Sequence, residues 1–351
     1  MKFEDMSANV LTRVEPTDAC EVPVVDIAPL RDGTDAARVW AELHRAASEV
    51  GFLYIRNHGV DAAVVERARR AALAFFRLPE EAKREAGTNQ YHHGYLKPGS
   101  TKMYDDARHD LKESFNWGIE LFGESGGDHN STTAPANALV GPNVWPAAMP
   151  ELKTSVYPYF EAASACAEDL LRGFALGAGL DAEHFIRLRD RPVSRGSLQY
   201  YPPQPDGAEK DQFGVAPHTD FGLLTVLCQD EIGGLEIRLP NGRWVAMPPV
   251  PGTCVVNIGD LLERWSNRRY LSTVHRVINR SGRDRLSLVV AYDPNFETLV
   301  APRAFCSEEE VPCDEPVTCG DYLLWRFGKA FSYRQRDEEV SLDVSTTRLG
   351  S

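Results

Sequence analysis

The chain has 351 residues, of which 43% are hydrophobic and 25% charged, a composition typical of a globular protein with enough apolar side chains for a core. Its formal net charge is −13 and no long Lys/Arg block interrupts the acidic excess, so we do not expect nucleic-acid binding. No run of about 20 apolar residues would span a membrane, and the N-terminus lacks the apolar segment of a secretory signal, so we expect a cytoplasmic protein.

The first half of the sequence mixes short apolar runs with amphipathic segments. Residues 22–26 and 52–55 predict two strands. Apolar side chains recur at helical spacing over residues 36–50 and 62–76, which predicts two helices. Residues 79–81 open a further helical turn, because a proline and two acids are favourable at a helix start.

The second half changes to a β pattern. Residues 123–146 are rich in Gly, Asn, Pro and Thr and predict a long loop, which a helix over residues 150–180 follows. Short runs rich in Val, Ile, Leu and Tyr then predict strands at 197–201, 223–228, 234–238, 253–258, 273–278 and 286–292. Residues 320–335 are again predicted to be helical. The pattern favours a mainly β fold with flanking helices, in which helices from both ends wrap a sandwich or jelly roll.

Seven cysteines are scattered along the chain, and Cys306, Cys313 and Cys319 lie closest together. Their spacing fits no C-x2-C metal motif, and no histidine lies nearby. Reduced cysteines are the rule in cytoplasmic proteins, so we expect free thiols here rather than a metal site.

A histidine and an aspartate stand two positions apart in the β-rich half. Side chains at that spacing in an extended segment point to the same face, so His218 and Asp220 can meet one metal ion. His275, 57 positions later and within another predicted strand, supplies a third ligand. Two histidines and one carboxylate form the ligand set of non-haem Fe(II) oxygenases, which leaves positions open for a co-substrate and dioxygen. Zinc uses the same ligand types in hydrolases, although their helical H-E-x-x-H pattern does not occur here.

An arginine and a serine form a second pair at the same spacing. Arg285 and Ser287 share one face of a predicted strand that begins beside a buried apolar run. A guanidinium group binds a carboxylate through two charge-assisted hydrogen bonds, and a hydroxyl adds a third. The apolar run beside the pair favours a buried anion site over the alternative, an arginine in a surface ion pair.

Further motifs follow one another along nearly the whole chain. In the first half they are VPVVD at 22–26, GFLY at 51–54, NHGV at 57–60, FRLP at 76–79 and DLKESF at 110–115. In the second half they are YYPP at 200–203, HTDFGLLTVLCQD at 218–230, NIGD at 257–260, SN at 266–267 and STVHRV at 272–277. Together these motifs resemble the plant-type 2-oxoglutarate/Fe(II) oxygenases, the family that includes isopenicillin N synthase.

The resemblance implies a double-stranded β-helix, or jelly roll, with a helical N-terminal region. Residues 22–140 would form the N-terminal helical and strand region of the non-haem dioxygenases, and residues 192–300 the Fe(II)/2-oxoglutarate jelly-roll domain. Residues 301–351 would form a C-terminal helical tail.

The resemblance also implies roles for individual residues. The implied iron ligands are His218, Asp220 and His275. Arg285 and Ser287 match the pair that binds the far carboxylate of 2-oxoglutarate, and Tyr201 aligns with a tyrosine that also contacts it. Gln199 stands where the family often has Asn, which keeps the amide but changes its reach.

Other residues in the motifs are given structural or substrate roles. His58 is read as a structural residue that bonds backbone, and Asn257 and Asp260 as turn and scaffold residues. The aromatic residues predicted to contact substrate are Tyr95, Phe115, Phe221 and Phe296.

The implied activity is oxidation of a small molecule by dioxygen, with hydroxylation, desaturation or ring closure as the outcome. Fe(II) and 2-oxoglutarate would take part, ascorbate would be an optional stimulant, and succinate and CO2 would be released. Two alternatives stay open: a 2-oxoglutarate-independent Fe(II) oxidase of the isopenicillin N synthase type, with a substrate carboxylate on Arg285 and Ser287, and a non-catalytic jelly-roll binding protein.

Overall fold

The computed structural model describes residues 22–103, 108–120, 137–187, 189–204, 212–306 and 309–334. The α-helices in these ranges are α1 (Pro29–Asp32), α2 (Ala36–Glu49), α3 (Ala62–Phe76), α4 (Glu80–Glu85), α5 (Glu151–Gly177), α6 (Asp260–Trp265) and α7 (Cys319–Ala330). They confirm the predicted helices over 36–50, 62–76 and 150–180 and the helical turn after Pro79. None of the helices in the described part of the chain is both long and apolar enough to cross a membrane.

The strands in the same ranges are β1 (Val24–Asp26), β2 (Phe52–Arg56), β3 (Gly94–Leu96), β4 (Glu113–Gly118), β5 (Arg195–Tyr201), β6 (Val215–His218), β7 (Leu224–Gln229), β8 (Leu235–Arg238), β9 (Trp244–Ala246), β10 (Thr253–Ile258), β11 (His275–Val277), β12 (Arg285–Tyr292), β13 (Leu299–Val300) and β14 (Val317–Thr318). Eight of them form a large sheet in the order β1-β2-β10-β7-β12-β5-β4-β3, and four form a smaller sheet in the order β6-β11-β8-β9. This arrangement is the expected jelly roll.

The core has two large clusters because the large sheet is covered on both faces. Its outer face packs against α2, α3 and α5, whose apolar residues join those of β12, such as Leu286, Leu288 and Val290, in one buried cluster. Its inner face meets the smaller sheet in a second cluster, where Phe52 and Val255 pack with Ile237. Because side chains alternate along a strand, the positions of β12 between these leucines and valine point inward.

Strands β4 and β6 were not among the strands predicted from the sequence. In β4, Phe115 and Trp117 are fully buried in the cluster beneath the helices, so the alternating Ser114 and Asn116 turn to the inner face. Strand β6 ends at His218, so Asp220 lies just beyond the strand rather than within it.

The predicted loop at 123–146 and the predicted helix at 320–335 each extend beyond the described residues. Of the predicted loop at 123–146, residues 137–146 form turns and an isolated bridge, and the remainder lies outside the described residues. The predicted C-terminal helix corresponds to α7, and residue 335 and those after it lie outside the described ranges.

Two cysteines that drew no prediction lie opposite each other on neighbouring strands. Cys228 on β7 and Cys254 on β10 are joined by a disulfide. Cys306, Cys313 and Cys319 are free thiols, as predicted.

Candidate active site

The three predicted metal ligands converge at one end of the smaller sheet. His218 and His275 are directly opposed in the pairing of β6 with β11, and their ring centroids are 4.2 Å apart. Asp220 Oδ1 lies 3.8 Å from His218 Nε2 and 3.7 Å from His275 Nε2. The three ligand atoms lie within 4.8 Å of one another, a separation that suits coordination of one ion.

Backbone carbonyls orient both imidazole rings. His218 Nδ1 lies 2.8 Å from the carbonyl oxygen of Ala216, and His275 Nδ1 lies 3.1 Å from that of Thr273. A proton on each Nδ1 makes these hydrogen bonds and leaves the Nε2 lone pair directed at the metal position. Burial and the neighbouring His275 lower the pKa of His218 well below its ordinary value, so its ring is neutral and available as a ligand.

The carboxylate of Asp220 is held from one side. Its Oδ2 accepts hydrogen bonds from Thr225 Oγ1 at 2.5 Å and from Asn257 Nδ2 at 2.8 Å, which leaves Oδ1 for the metal. Burial alone would raise the pKa of Asp220, but the two imidazoles and these hydrogen bonds outweigh it and lower the pKa to about 2. The carboxylate is therefore ionised at neutral pH.

Asn257 and Asp260 do more than shape a turn. Besides the bond from Asn257, the backbone N–H of Asp260 donates to the Asp220 carbonyl at 2.8 Å, so both residues position a predicted ligand. A Cβ on Gly259 would lie 2.2 Å from the Gly222 carbonyl oxygen, which shows how closely the two loops approach. His58 has the expected structural role, since its Nδ1 accepts from the Val60 N–H at 3.2 Å.

The predicted anion site lies on β12, beside Tyr201 on β5. Arg285 is fully buried, and its Nε donates to the Gly233 carbonyl at 2.5 Å. Its two terminal nitrogens have no hydrogen-bond partner among the described residues, and neither has the fully buried hydroxyl of Ser287. The guanidinium carbon lies 4.6 Å from the centre of the Tyr201 ring, which fixes the plane of the group.

These groups fit iron and 2-oxoglutarate. A buried cation without a counter-ion is costly, and an entering carboxylate would satisfy both terminal nitrogens and the hydroxyl at once. Two imidazoles and one carboxylate are donors that suit Fe(II). Tyr201 and Gln199 line the cavity that holds the metal ligands, and they pair in register with Arg285 and Ser287.

Only one of the four aromatic residues predicted to contact substrate lines the cavity. Phe221 lines it, whereas Phe115, Tyr95 and Phe296 do not. The Tyr95 hydroxyl donates instead to Glu113 at 2.6 Å, and Phe115 faces the opposite side of β4. Phe296 packs over Gly320 at the start of α7.

Several lining residues were missed by sequence reasoning. They include Lys112, Arg195 and Ser197, whereas His92, Asn116 and Phe327 lie in segments that the sequence predicted to border the pocket. Lys112 lies in the DLKESF motif, and its place there was the only available signal. Burial lowers the pKa of Lys112, while the negative charges of Asp110 and Asp220 oppose that shift.

Known proteins match the chain over both halves. Residues 194–294 match the 2OG-Fe(II) oxygenase superfamily, and residues 22–148 match the non-haem dioxygenase in morphine synthesis N-terminal family. The 2-oxoglutarate-Fe(II) type oxidoreductase ppzC of Metarhizium majus is 34% identical over 328 residues, which cover 89% of this chain and 88% of the relative. Gibberellin 2-beta-dioxygenase 6 of Oryza sativa subsp. japonica is 35% identical, with 93% of this chain and 82% of the relative covered.

A solved structure agrees in fold. A full-length Neurospora crassa protein, crystallised in complex with alpha-KG and thymine, superposes with a TM-score of 0.76 at 29% identity, covering 88% of this chain and 96% of that one. The oxidoreductase names of the relatives and the bound alpha-KG of this neighbour agree with the metal and anion sites described above. The chain therefore belongs to the 2OG-Fe(II) oxygenase superfamily and is a 2-oxoglutarate-dependent dioxygenase that uses Fe(II).

Proposed function

We propose that His218, Asp220 and His275 hold the iron and that Arg285, Ser287 and Tyr201 hold 2-oxoglutarate, so that a small organic molecule in the adjoining cavity is oxidised by dioxygen. The observation that carries this assignment is the fully buried Arg285 guanidinium, whose terminal nitrogens lack partners among the described residues. A cytoplasmic location and the absence of nucleic-acid binding stay predictions from the sequence.

The residues of the chain prepare the site for this chemistry. Bound iron and 2-oxoglutarate supply, with dioxygen, the oxidising power needed to break a substrate C–H bond, with succinate and CO2 as by-products. The Ala216 and Thr273 carbonyls hold the histidine tautomers that can ligate, and Asn257 keeps one oxygen of Asp220 turned away from the metal. Leu227, Leu235 and other apolar side chains line the cavity and limit its water content.

We also propose the division of the chain into an N-terminal region (22–140), a jelly-roll domain (192–300) and a C-terminal helical tail (301–351). The two family matches, to residues 22–148 and 194–294, support the first two parts. The N-terminal region is not an independent unit, because β2 pairs with β10 inside the large sheet.

Calorimetry on the Mn(II)-loaded protein tests the assignment without turnover. We expect the wild type to bind 2-oxoglutarate, Arg285→Met to bind it at least about tenfold more weakly because two charged hydrogen bonds are lost, and His218→Ala to lose metal binding. Arg283→Met is the matched control, since Arg283 is exposed two positions away and pairs loosely with Glu231 at 3.7 Å.

Succinate formation with Fe(II) and air completes the test. Unchanged 2-oxoglutarate affinity in Arg285→Met would refute the anion-site assignment. A wild type that binds iron but neither binds 2-oxoglutarate nor forms succinate would favour the isopenicillin N synthase type, in which Arg285 and Ser287 hold the substrate. A protein that binds no metal would favour the non-catalytic alternative.

A further inference from the structure

The inner face of the large sheet forms one wall of the cavity, and its residues lie in rungs across the strands. Tyr201 pairs with Arg285 in the first rung and Gln199 with Ser287 in the second. Ser197 with Val289 and Arg195 with Ala291 form the next two. The last rung continues to Thr225 on β7, whose hydroxyl binds the Asp220 carboxylate. Arg195 is therefore in line with the metal centre, at the opposite end of β5 from Tyr201.

The Arg195 guanidinium has an unused hydrogen-bond donor within the described part of the chain. Its side chain is 12% exposed, and its buried Nη1 has no hydrogen-bond partner among the described residues. The nearest carboxylate oxygen is Oδ2 of the buried Asp293, 3.6 Å from Nη1; this ion pair is too long for a hydrogen bond, and Oδ2 likewise has no hydrogen-bond partner among the described residues. The ring of Phe327 lies 4.8 Å from the guanidinium carbon and holds the plane of the group, which leaves its edge free for a ligand.

The charges that line the cavity favour an anion in the remaining space. The lining residues with full charges are Lys112, Arg195 and Asp220. If the proposed function is correct, Fe(II), Asp220, Arg285 and doubly charged 2-oxoglutarate sum to zero. Two cations then face the open space: Lys112, whose ammonium makes no hydrogen bond or ion pair with a described residue, and Arg195, whose charge the buried Asp293 offsets in part from 3.6 Å. A low-dielectric cavity with such a balance attracts negatively charged ligands.

The space between Arg195 and the metal ligands is built for an apolar body. Ala291 is the small residue between Arg195 and Thr225, and two strand spacings of about 4.8 Å each separate their backbones. Phe221 and Phe327, with ring centroids 5.9 Å apart, stand beside this space. On the other side, Ser197 donates to Asn116 at 2.5 Å and accepts from Gln199 at 2.6 Å, which leaves the buried Gln199 Oε1 without a partner among the described residues.

We propose that the substrate is an organic acid whose carboxylate binds to Arg195 and whose apolar body extends over Ala291 toward the iron, so that the oxidised carbon lies only a few bonds from the acid group. Lys112 adds to the positive potential without being the anchor. This inference rests on the proposed function, because it takes the metal and 2-oxoglutarate sites as assigned there.

The test is ligand binding to protein saturated with Mn(II) and 2-oxoglutarate, measured by calorimetry. The probes are the acids benzoate, phenylacetate, 3-phenylpropanoate, hexanoate, octanoate and decanoate. Each acid is compared with its primary amide and with the corresponding amine, which lack the carboxylate. We expect at least one acid to bind at least about tenfold more tightly than its amide and amine. Arg195→Met should weaken acid binding at least about tenfold and leave Mn(II) and 2-oxoglutarate binding as in the wild type, while Arg195→Lys should keep part of it.

Arg191→Met is the control, because Arg191 lies four positions away and is 39% exposed. Amides or amines that bind as well as the acids, no acid that binds, or unchanged acid binding in Arg195→Met would each overturn the proposal. A loss of acid binding in Lys112→Met alone would overturn the choice of Arg195 as anchor. Failure here with normal 2-oxoglutarate binding would leave the proposed function standing, whereas absent 2-oxoglutarate binding would refute both.

Discussion

At the scale of single residues, the side chains that orient the metal ligands are placed as specifically as the ligands themselves. Asn257 is 2% exposed, and its amide donates to the one Asp220 oxygen that faces away from the metal position. Without this bond the carboxylate could rotate and offer the metal a poorly directed oxygen. Partners of this kind typically contribute a factor of about 10–100 to metal affinity.

We therefore expect Asn257→Ala to bind Mn(II) about 10–100-fold more weakly than the wild type, in an anaerobic titration with the protein still folded. Asn241→Ala, in an exposed turn, is the control and should match the wild type. Wild-type affinity in Asn257→Ala would mean that Thr225 alone positions Asp220.

At this scale the residues that the sequence predicted most directly were pairs with a short local spacing, whereas His275 was assigned as the third ligand by its residue type and its predicted strand. His218 with Asp220, and Arg285 with Ser287, each stand two positions apart, so one extended segment was enough to predict that each pair shares a face. Asn257 reaches Asp220 across 37 positions, a contact that exists only once β10 has paired with β7. Such contacts depend on sheet register, which the linear pattern did not provide.

At the scale of elements, prediction succeeded where a segment was long and periodic. The amphipathic helices α2 and α3 were predicted to within one residue at each end, because many apolar positions report the same period. Strand β4 has only six residues, and polar side chains alternate with its aromatic ones because its inner face lines the cavity that holds the metal ligands. A strand that carries function on one face thus loses the apolar signal that would identify it.

One buried carboxylate ties the segment before β4 to β6. Asp110 is 2% exposed, and its Oδ1 accepts from the Ala216 N–H at 2.9 Å, while its Oδ2 has no partner among the described residues. Burial raises the pKa of Asp110 to about 7, against opposing contributions from Lys112 and the Ala216 bond. The folded state therefore binds a proton that the unfolded state releases near its ordinary pKa of about 4.

A raised folded-state pKa gives stability that is complete below the unfolded pKa and is lost as the pH rises through the folded pKa. We expect the free energy of unfolding of metal-free wild type to fall, relative to Asp110→Asn, by up to about 1.4 kcal/mol per pH unit between about pH 4 and 7. Urea unfolding from about pH 5 to 8 in the presence of a chelator measures this difference. A curve for Asp110→Asn that runs parallel to that of the wild type would contradict the shift.

At the scale of the whole molecule, charge is sorted between the surface and the interior. The chain carries a net charge of −13, yet Arg285 is fully buried, and Lys112 and Arg195 line the cavity. A buried cation lowers the stability of the unliganded fold unless an anion joins it. The anion site should therefore reduce the stability of the empty protein and increase that of the liganded one.

The order of the Tm values of wild type and Arg285→Met should consequently reverse when Mn(II) and 2-oxoglutarate are added. Without metal or 2-oxoglutarate, we expect the variant to have an equal or higher Tm, because it removes a desolvated charge while keeping an apolar side chain of similar length. With Mn(II) and 2-oxoglutarate at about a hundredfold their Kd values, each ligand adds about 2.7 kcal/mol to the wild type, and the variant should lose the 2-oxoglutarate share. Thermal unfolding of both proteins under both conditions measures the reversal, with Arg283→Met expected to follow the wild type throughout. A variant that is less stable under both conditions by the same amount would show that Arg285 serves the fold through its Gly233 bond and ring contact, rather than an anion.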